Sequence, residues 1–555
     1  MTMTAVAAVA LVTFAFFLLK PPPTTPPTIA EYAPQAVKQI TEAPPQQAVN
    51  GPNGKSGNGP NGTGGSGGSG NGSGGTGGGA TPMPSPSGTP LPTLLHCVGD
   101  PPRQIEDPQS PPCIAYWDGS NGGATWKGVT ASSITIVDPQ YNAAIDKPLE
   151  TFFNARFELY KRKISIVPGQ ASGAGPDTES ADANFADTSA HAFASLETAN
   201  DAGGFYYGRD LAHEGLIYAT TRPIFHTADL EGLAPYVWAY PMVQDDMLRN
   251  IADWVCTRLN GHVAGKGNGL LPNGQQLNQT KRRFGMVATT EFADDPVAYQ
   301  ALLNELTSDC GIVIPPEAQA EETGNDQFTG NSATVLKMRN ANVTSVICLC
   351  AQNVMAAMGT AATNQSYFPE WLLSSYYLCD NDDLLRPATA GIPPDQRTGL
   401  IGLAFIPREL AIPLQPARQA AVEGDPPGQY VGGYPPNSGT YYQLTYTYRS
   451  LLLIASGIQM AGPHLTPQTF ADGLHRTTFP NPETRLMAGH VGFANNSYSM
   501  TVDATEFYYS NTAPSPYAED GPGAVCYVNG GARHRGNAWP PGVETYNDPN
   551  CDSGA

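Results

Sequence analysis

From Lys127 onward, short runs of β-branched and apolar residues alternate with longer stretches in which apolar positions recur at helical spacing. That is the pattern of a mostly parallel sheet covered by helices. It predicts a first series of strands at Ser133–Val137, Lys163–Val167, Phe193–Leu196 and Leu216–Ala219. A second series falls at Phe284–Ala288, Gly311–Ile314, Val343–Leu349 and Trp371–Tyr376. Between the two, Met247, Ile251, Val255 and Leu259 line one face of a helix that Gly261 ends with a left-handed cap, and this helix is expected to close a first lobe. In the second series Pro296 opens a helix with Ala298, Ala301, Leu302 and Leu306 on one side, and Gly311 stops it. The segment Tyr446–Met460 is apolar nearly all round. Arg449 and Gln459 bracket too few of its residues to span a bilayer, so it predicts a helix buried between layers.

The first part of the chain follows other rules. Residues 5 to 19 are an apolar run interrupted by Thr13, shorter than the roughly 20 residues of a straight membrane-spanning helix and suited to a signal-peptide core. No clean Ala-x-Ala site and no cysteine for a lipid follow it, and Lys20 lies after the run with nothing basic before it. Residues 1–20 are therefore expected to be a signal peptide or an uncleaved signal anchor. Residues 21–93, Pro-rich and then rich in Gly and Asn, cannot bury enough apolar surface to offset their ordering entropy and predict a disordered linker. The Gly run in it lacks the strand before and the Lys-Ser/Thr helix after that a phosphate loop requires.

What remains, residues 94–555, is larger than one hydrophobic core usually serves, so two lobes are expected. The formal charge of −20 has the wrong sign for a phosphate backbone and argues against nucleic acid as a partner. The nine cysteines match no metal spacing and fit an oxidising compartment. Cys97 and Cys113 bracket a Pro-rich segment with little core of its own, so a disulfide is expected there, contributing on the order of 3 kcal/mol. Cys256 is expected to pair with Cys310, and Cys526 with Cys551. The close pair Cys348 and Cys350 lies in an apolar run and reads as part of a buried strand. The odd count leaves at least one thiol over.

No catalytic constellation is found: neither a Gly-x-Ser-x-Gly elbow, a His-Glu-x-x-His pair, a Walker loop nor a dinucleotide fingerprint. No cofactor and no metal are expected, since the histidines show no i, i+4 spacing and His213-Glu214 reads as a solvated helix end. In an open α/β sheet the ligand site lies beyond the carboxyl ends of the strands. There the sequence offers Glu197 and Thr198, Thr220 and Thr221, then Thr289, Thr290 and Glu291, and finally Ser374, Ser375 and Tyr376. Aromatic residues nearby, from Phe205 to Tyr207 and at Tyr218, Trp238 and Tyr240, could wall an apolar part of a ligand, with Trp238 better read as core.

Five blocks, KGVTASSITIV, PYVWAYPMVQDDMLRNIADWVC, RRFGMVATTE, VTSVICLCAQNVMAAMGTAATNQSYFPEWLLSSYY and LLLIASGIQMAGPHLTPQTFADGL, occur in an order and spacing that resembles the extracellular ligand-binding proteins of branched-chain-amino-acid-type ABC transporters, the type I periplasmic-binding-protein family. The resemblance covers residues 126 to 545. It implies two Rossmann-like lobes with a cleft between them: lobe 1 about 126–262 plus 400–510, lobe 2 about 280–390, and a final strand at Val502–Tyr509. It implies an extracellular solute-binding protein, not an enzyme, that takes a small polar ligand for a transporter permease and is held at the membrane by its N-terminal segment. The alternative is a sensory or scaffold module on the same fold. It further implies that Thr220 or Thr221, after the strand containing Tyr218 and Ala219, donates to a ligand carboxylate. Glu197 and Glu291, one from each lobe, are then placed to meet an ammonium group.

Overall fold

The computed structural model describes residues 97–555 apart from 198–203, 290–294, 323–330, 376–378, 381–384, 387–390, 426, 429–438, 482–488, 494–496, 517–520, 543–545, 547–550, 552 and 554–555. The expected signal segment and linker lie outside the described residues.

Two sheets organise the chain. The first contains β1 (Ser133–Asp138), β2 (Lys163–Pro168), β3 (Ala194–Ser195), β4 (Ile217–Thr220) and β5 (Val237–Ala239), all parallel, in the order β2-β1-β3-β4-β5. Period-two alternation sends Ile134, Ile136, Ile217, Ala219 and Trp238 to one face and Val137, Tyr218, Val237 and Ala239 to the other. Both faces are buried, which is why these strands read as apolar runs. Helices α2 (Pro176–Thr188), α3 (Phe205–His213) and α4 (Thr227–Gly232) cover one face. The other packs α1 (Ala143–Arg156) together with three helices from far along the chain, α10 (Pro416–Glu423), α11 (Gly439–Ala461) and α12 (Pro467–Arg476).

The second sheet holds β6 (Phe284–Thr289), β7 (Gln319–Glu322), β8 (Ser345–Leu349), β9 (Glu370–Ser374) and β10 (Leu400–Ala404) in parallel, then β11 (Ala504–Pro514) and β12 (Pro522–Tyr527) antiparallel, with β13 (Arg533–His534) on β11. Its helices are α5 (Gln244–Trp254), α6 (Asp295–Cys310), α7 (Asn331–Asn340), α8 (Gln352–Asn364) and the short α9 (Pro394–Arg397).

The parallel part of this sheet runs β7-β6-β8-β9-β10, the same 2-1-3-4-5 order as the first. The fold is two doubly wound α/β lobes, and the chain passes between them three times: after β5, after β10 and after α12.

Several expectations need correction. The helix with Met247, Ile251 and Val255 does not close the first lobe. Its apolar face belongs to the second lobe's core, Trp254 Nε1 donates to Glu506 on β11 at 3.0 Å, and the π turn Val255–Leu259 that extends it carries Cys256 to Cys310 of α6. Gly261 has the left-handed backbone expected of it, φ +79°. Residues Gly311–Ile314 form no strand; the Pro315-Pro316 pair intervenes and the edge strand is the polar Gln319–Glu322. Residues 400–404 and the last strand, which begins at Ala504, lie in the second sheet, so the first lobe takes back α10–α12 from the later chain rather than all of 400–510.

Gly128 of the KGVT lead-in has φ +68°, and a Cβ there would sit 2.1 Å from the backbone nitrogen of Phe193, a place for glycine alone.

Four disulfides are present, Cys97–Cys113, Cys256–Cys310, Cys348–Cys350 and Cys526–Cys551. Cys348 lies on the buried strand β8, and its bond to Cys350 is one that the apolar run did not announce. Cys379 stands outside the four pairs, and burial pushes its thiol up to about 12. Among the described residues no helix is long and apolar enough to cross a membrane.

Candidate functional site

A 2-1-3-4-5 sheet reverses its winding between its first and third strands, and ligands in such sheets bind beyond the carboxyl ends near that point. In the first lobe those ends carry Asp138 at the end of β1, Glu197 after β3, Thr220 and Thr221 at β4, and Tyr240 after β5. In the second they carry Thr289 at β6, Cys350 after β8, Ser374 and Ser375 at β9, and Phe405 and Ile406 after β10.

Four of the expected residues converge on one another. Glu197 Oε2 accepts from the Thr220 hydroxyl at 2.7 Å, the Thr221 hydroxyl at 3.3 Å and the Thr221 backbone N–H. Its Oε1 accepts from the Tyr218 hydroxyl at 3.0 Å and stands 4.0 Å from Arg222 Nε. The carboxylate is therefore held by hydroxyls, an amide and a guanidinium in a site 5 % exposed. Burial and the neighbouring Glu197 charge push the Tyr218 hydroxyl far up, so it donates as a phenol at any physiological pH. Ala219 is not part of this surface. Its side chain lies in the core and its carbonyl accepts the Ser450 hydroxyl of α11 at 3.1 Å. Thr198, Glu291 and Tyr376 lie outside the described residues.

The second lobe has a parallel arrangement that the sequence reading missed. Asp380 Oδ2, after β9, accepts from the Ser375 hydroxyl, from Phe405 N at 3.0 Å and from Ile406 N at 3.5 Å. Its Oδ1 is buried and, among the described residues, takes no hydrogen bond. Desolvation raises the Asp380 carboxyl above its ordinary value.

Between the lobes stands Arg449, from the α11 helix of the first. Its guanidinium lies 5.5 Å from the Tyr240 ring centroid and 5.9 Å from that of Tyr446. It interacts electrostatically with Asp380 of the second lobe, with Glu409 of the crossover after β10, and with Asp107. Asp107 belongs to the Cys97–Cys113 loop and accepts from Gln109 N at 2.8 Å and Tyr448 OH at 2.9 Å. Arg533 ties the same region together, donating to the carbonyls of Phe405 and Ile406 at 2.9 and 3.3 Å and to Asp503 at 2.7 Å. An arginine inside a helix that is otherwise apolar all round was the available signal for Arg449, since such a cation is buried only with acid partners.

At the β1 end, burial raises the neighbouring carboxyls of Asp138 and Asp146, and Asp146 is raised further by the Asp138 charge. Asp146 Oδ2 accepts from Asn142 N at 2.6 Å and closes the start of α1. A carboxyl raised in the folded state contributes stability below its unfolded value that is lost as pH rises through the folded value. Asp146→Asn, which stays neutral at every pH, is expected to change little at pH 4 and to stabilise by about 1–3 kcal/mol at pH 9. Urea unfolding across pH measures this, and a gain that did not grow with pH would contradict the raised Asp146 carboxyl.

No protein-family model matches the chain and no curated protein matches it. Solved structures do. An ABC-transporter substrate-binding protein from Aeropyrum pernix aligns at a TM-score of 0.50 and 10 % identity over 73 % of this chain and 96 % of its own. A solute-binding protein of an ABC transporter from Rhodopseudomonas palustris HaA2, in complex with p-hydroxybenzoic acid, aligns at 0.48 and 9 % identity over 73 % and 97 %. A fatty acid ABC-transporter substrate-binding protein from Thermomonospora curvata aligns at 0.47 and 12 % identity over 74 % and 94 %. The fold is that of the type I periplasmic binding proteins.

Proposed function

We propose that the chain is an extracellular solute-binding protein that captures a small polar compound between its lobes and delivers it to an ABC-type transporter, with the N-terminal segment holding it at the membrane. The observation that carries this reading is the pairing of two 2-1-3-4-5 lobes whose strand ends meet around Arg449 and Asp380, joined by three crossovers. Three connecting segments let two rigid bodies rotate about a hinge, and a solute that contacts both lobes stabilises the closed state by its differential affinity. The Aeropyrum pernix protein with the same architecture is a transporter substrate-binding protein, which favours uptake over a purely sensory role.

The test is a thermal-shift screen of the full chain with amino acids, amides, polyamines and short aliphatic acids. A solute at one hundred times its dissociation constant adds about 2.7 kcal/mol to stability, and small-angle scattering should then show closure. If no compound in these classes raised the midpoint, small-solute capture would be abandoned.

A further inference from the structure

The donors at the carboxyl end of β4 form a receptacle shaped for a carboxylate, and a carboxylate of this chain already sits in it. The Thr220 and Thr221 hydroxyls and the Thr221 N–H meet on one oxygen of Glu197, and the Tyr218 hydroxyl and Arg222 face the other. A two-oxygen anion with these partners has little acceptor capacity to spare, and the Tyr218, Thr220 and Thr221 hydroxyls and the Thr221 N–H are all directed at it. The second lobe repeats the arrangement with Asp380 on Ser375, Phe405 N and Ile406 N. There the unused atom is the buried acceptor Asp380 Oδ1, which calls for a donor rather than an anion.

We propose that Glu197 is a built-in carboxylate that fills the anion seat of the first lobe, so that the solute recognised there presents no carboxylate to that loop and is instead a neutral or cationic hydrogen-bond donor, of the amide or amine class. This rests on the solute-binding reading for the identity of the site, though the filled seat can be tested without it. A free carboxylate entering the loop would have to expel Glu197 from its five partners or lie beside a like charge in a site screened from water. Glu197 thus acts as a specificity-determining residue by exclusion.

The experiment vacates the seat. Full-length Glu197→Ala and Glu197→Gln are compared with the unaltered protein in sodium formate, sodium acetate and sodium chloride at equal ionic strength. Formate and acetate are expected to raise the thermal midpoint of Glu197→Ala by roughly 2 °C or more above its value in chloride. They should leave the unaltered protein and Glu197→Gln, whose seat stays occupied, unchanged.

If Glu197→Ala is insoluble in chloride, recovery of folded protein in formate carries the same meaning. Equal effects of formate on all three proteins, or no effect on Glu197→Ala in either assay, would overturn the proposal. So would a natural solute whose binding to the unaltered protein is lost when its carboxylate is amidated and when Thr220 is replaced by Ala. A screen that finds no solute, with the formate effect intact, would reject the solute-binding reading and leave the filled seat standing.

Discussion

Replacing Arg282 with methionine is expected to destabilise the protein by about 3–5 kcal/mol, and adding Glu370→Leu to return most of that loss. Arg282 Nε and Nη2 donate to the two oxygens of Glu370 at 2.7 and 2.9 Å, and the two side chains are 1 % and 0 % exposed. Glu370 also accepts from the Ser345 hydroxyl at 2.7 Å and from Lys266 N at 3.1 Å. Removing the arginine alone strands a buried charge, whereas removing both groups removes the penalty with the attraction. The network ties together the amino ends of β6, β8 and β9, so it stabilises the end of the sheet opposite the candidate site. Urea unfolding of the two single variants and the double variant gives the coupling energy. A single-variant loss below about 1 kcal/mol would mean that the pair behaves as a solvated surface bridge.

Arg449→Met is expected to cost a similar 3–5 kcal/mol at pH 8, and distinctly less at pH 5. The groups facing Arg449 are Asp107, Asp380 and Glu409, with the rings of Tyr240 and Tyr446 beside it. Burial already raises Asp107 and Asp380, and without the cation their carboxyls rise further. As pH falls through the raised values they take up protons in the folded state, and the missing cation matters less. Unfolding free energies of the variant and the unaltered protein at the two pH values check this. A loss independent of pH would mean that Arg449 acts through packing against Tyr240 and Tyr446 alone.

The alternation of short apolar runs and helical stretches was enough to read β1–β4, β6, β8 and β9, because strands buried on both faces stand out as short, largely apolar runs, although the equally apolar β10 was passed over. It failed where polarity and position disagree. The edge strand Gln319–Glu322 is polar since one side of it is open, and β5 is only Val237–Ala239, too short to stand out. Lobe membership was the harder question. The helix with Met247 and Ile251 is amphipathic whichever sheet it covers, and only its contacts with Glu506 and Cys310 assign it. At the site, strand-end position brought Glu197 together with Thr220 and Thr221, but spacing says nothing of whether an acid and its donors face a ligand or each other. Asp380 and Arg449 escaped because they come from a loop and a buried helix, and their meeting depends on how the two lobes are brought together.

The interleaving of the lobes also governs the order in which they can form. The sheet of the first lobe ends at Ala239, yet one of its faces is covered only by α1 until α10–α12 at residues 416–476 have been made, and the second sheet gains β11 and β12 only at residues 504–527. During synthesis the first lobe cannot be completed until most of the second has been made, and both must wait for the last fifth of the polypeptide. Long-range closure of this kind slows folding and leaves apolar sheet faces open in the interval. A fragment cut anywhere between the sheets would lack part of a core, so each lobe can be obtained alone only by joining segments that are distant in the chain.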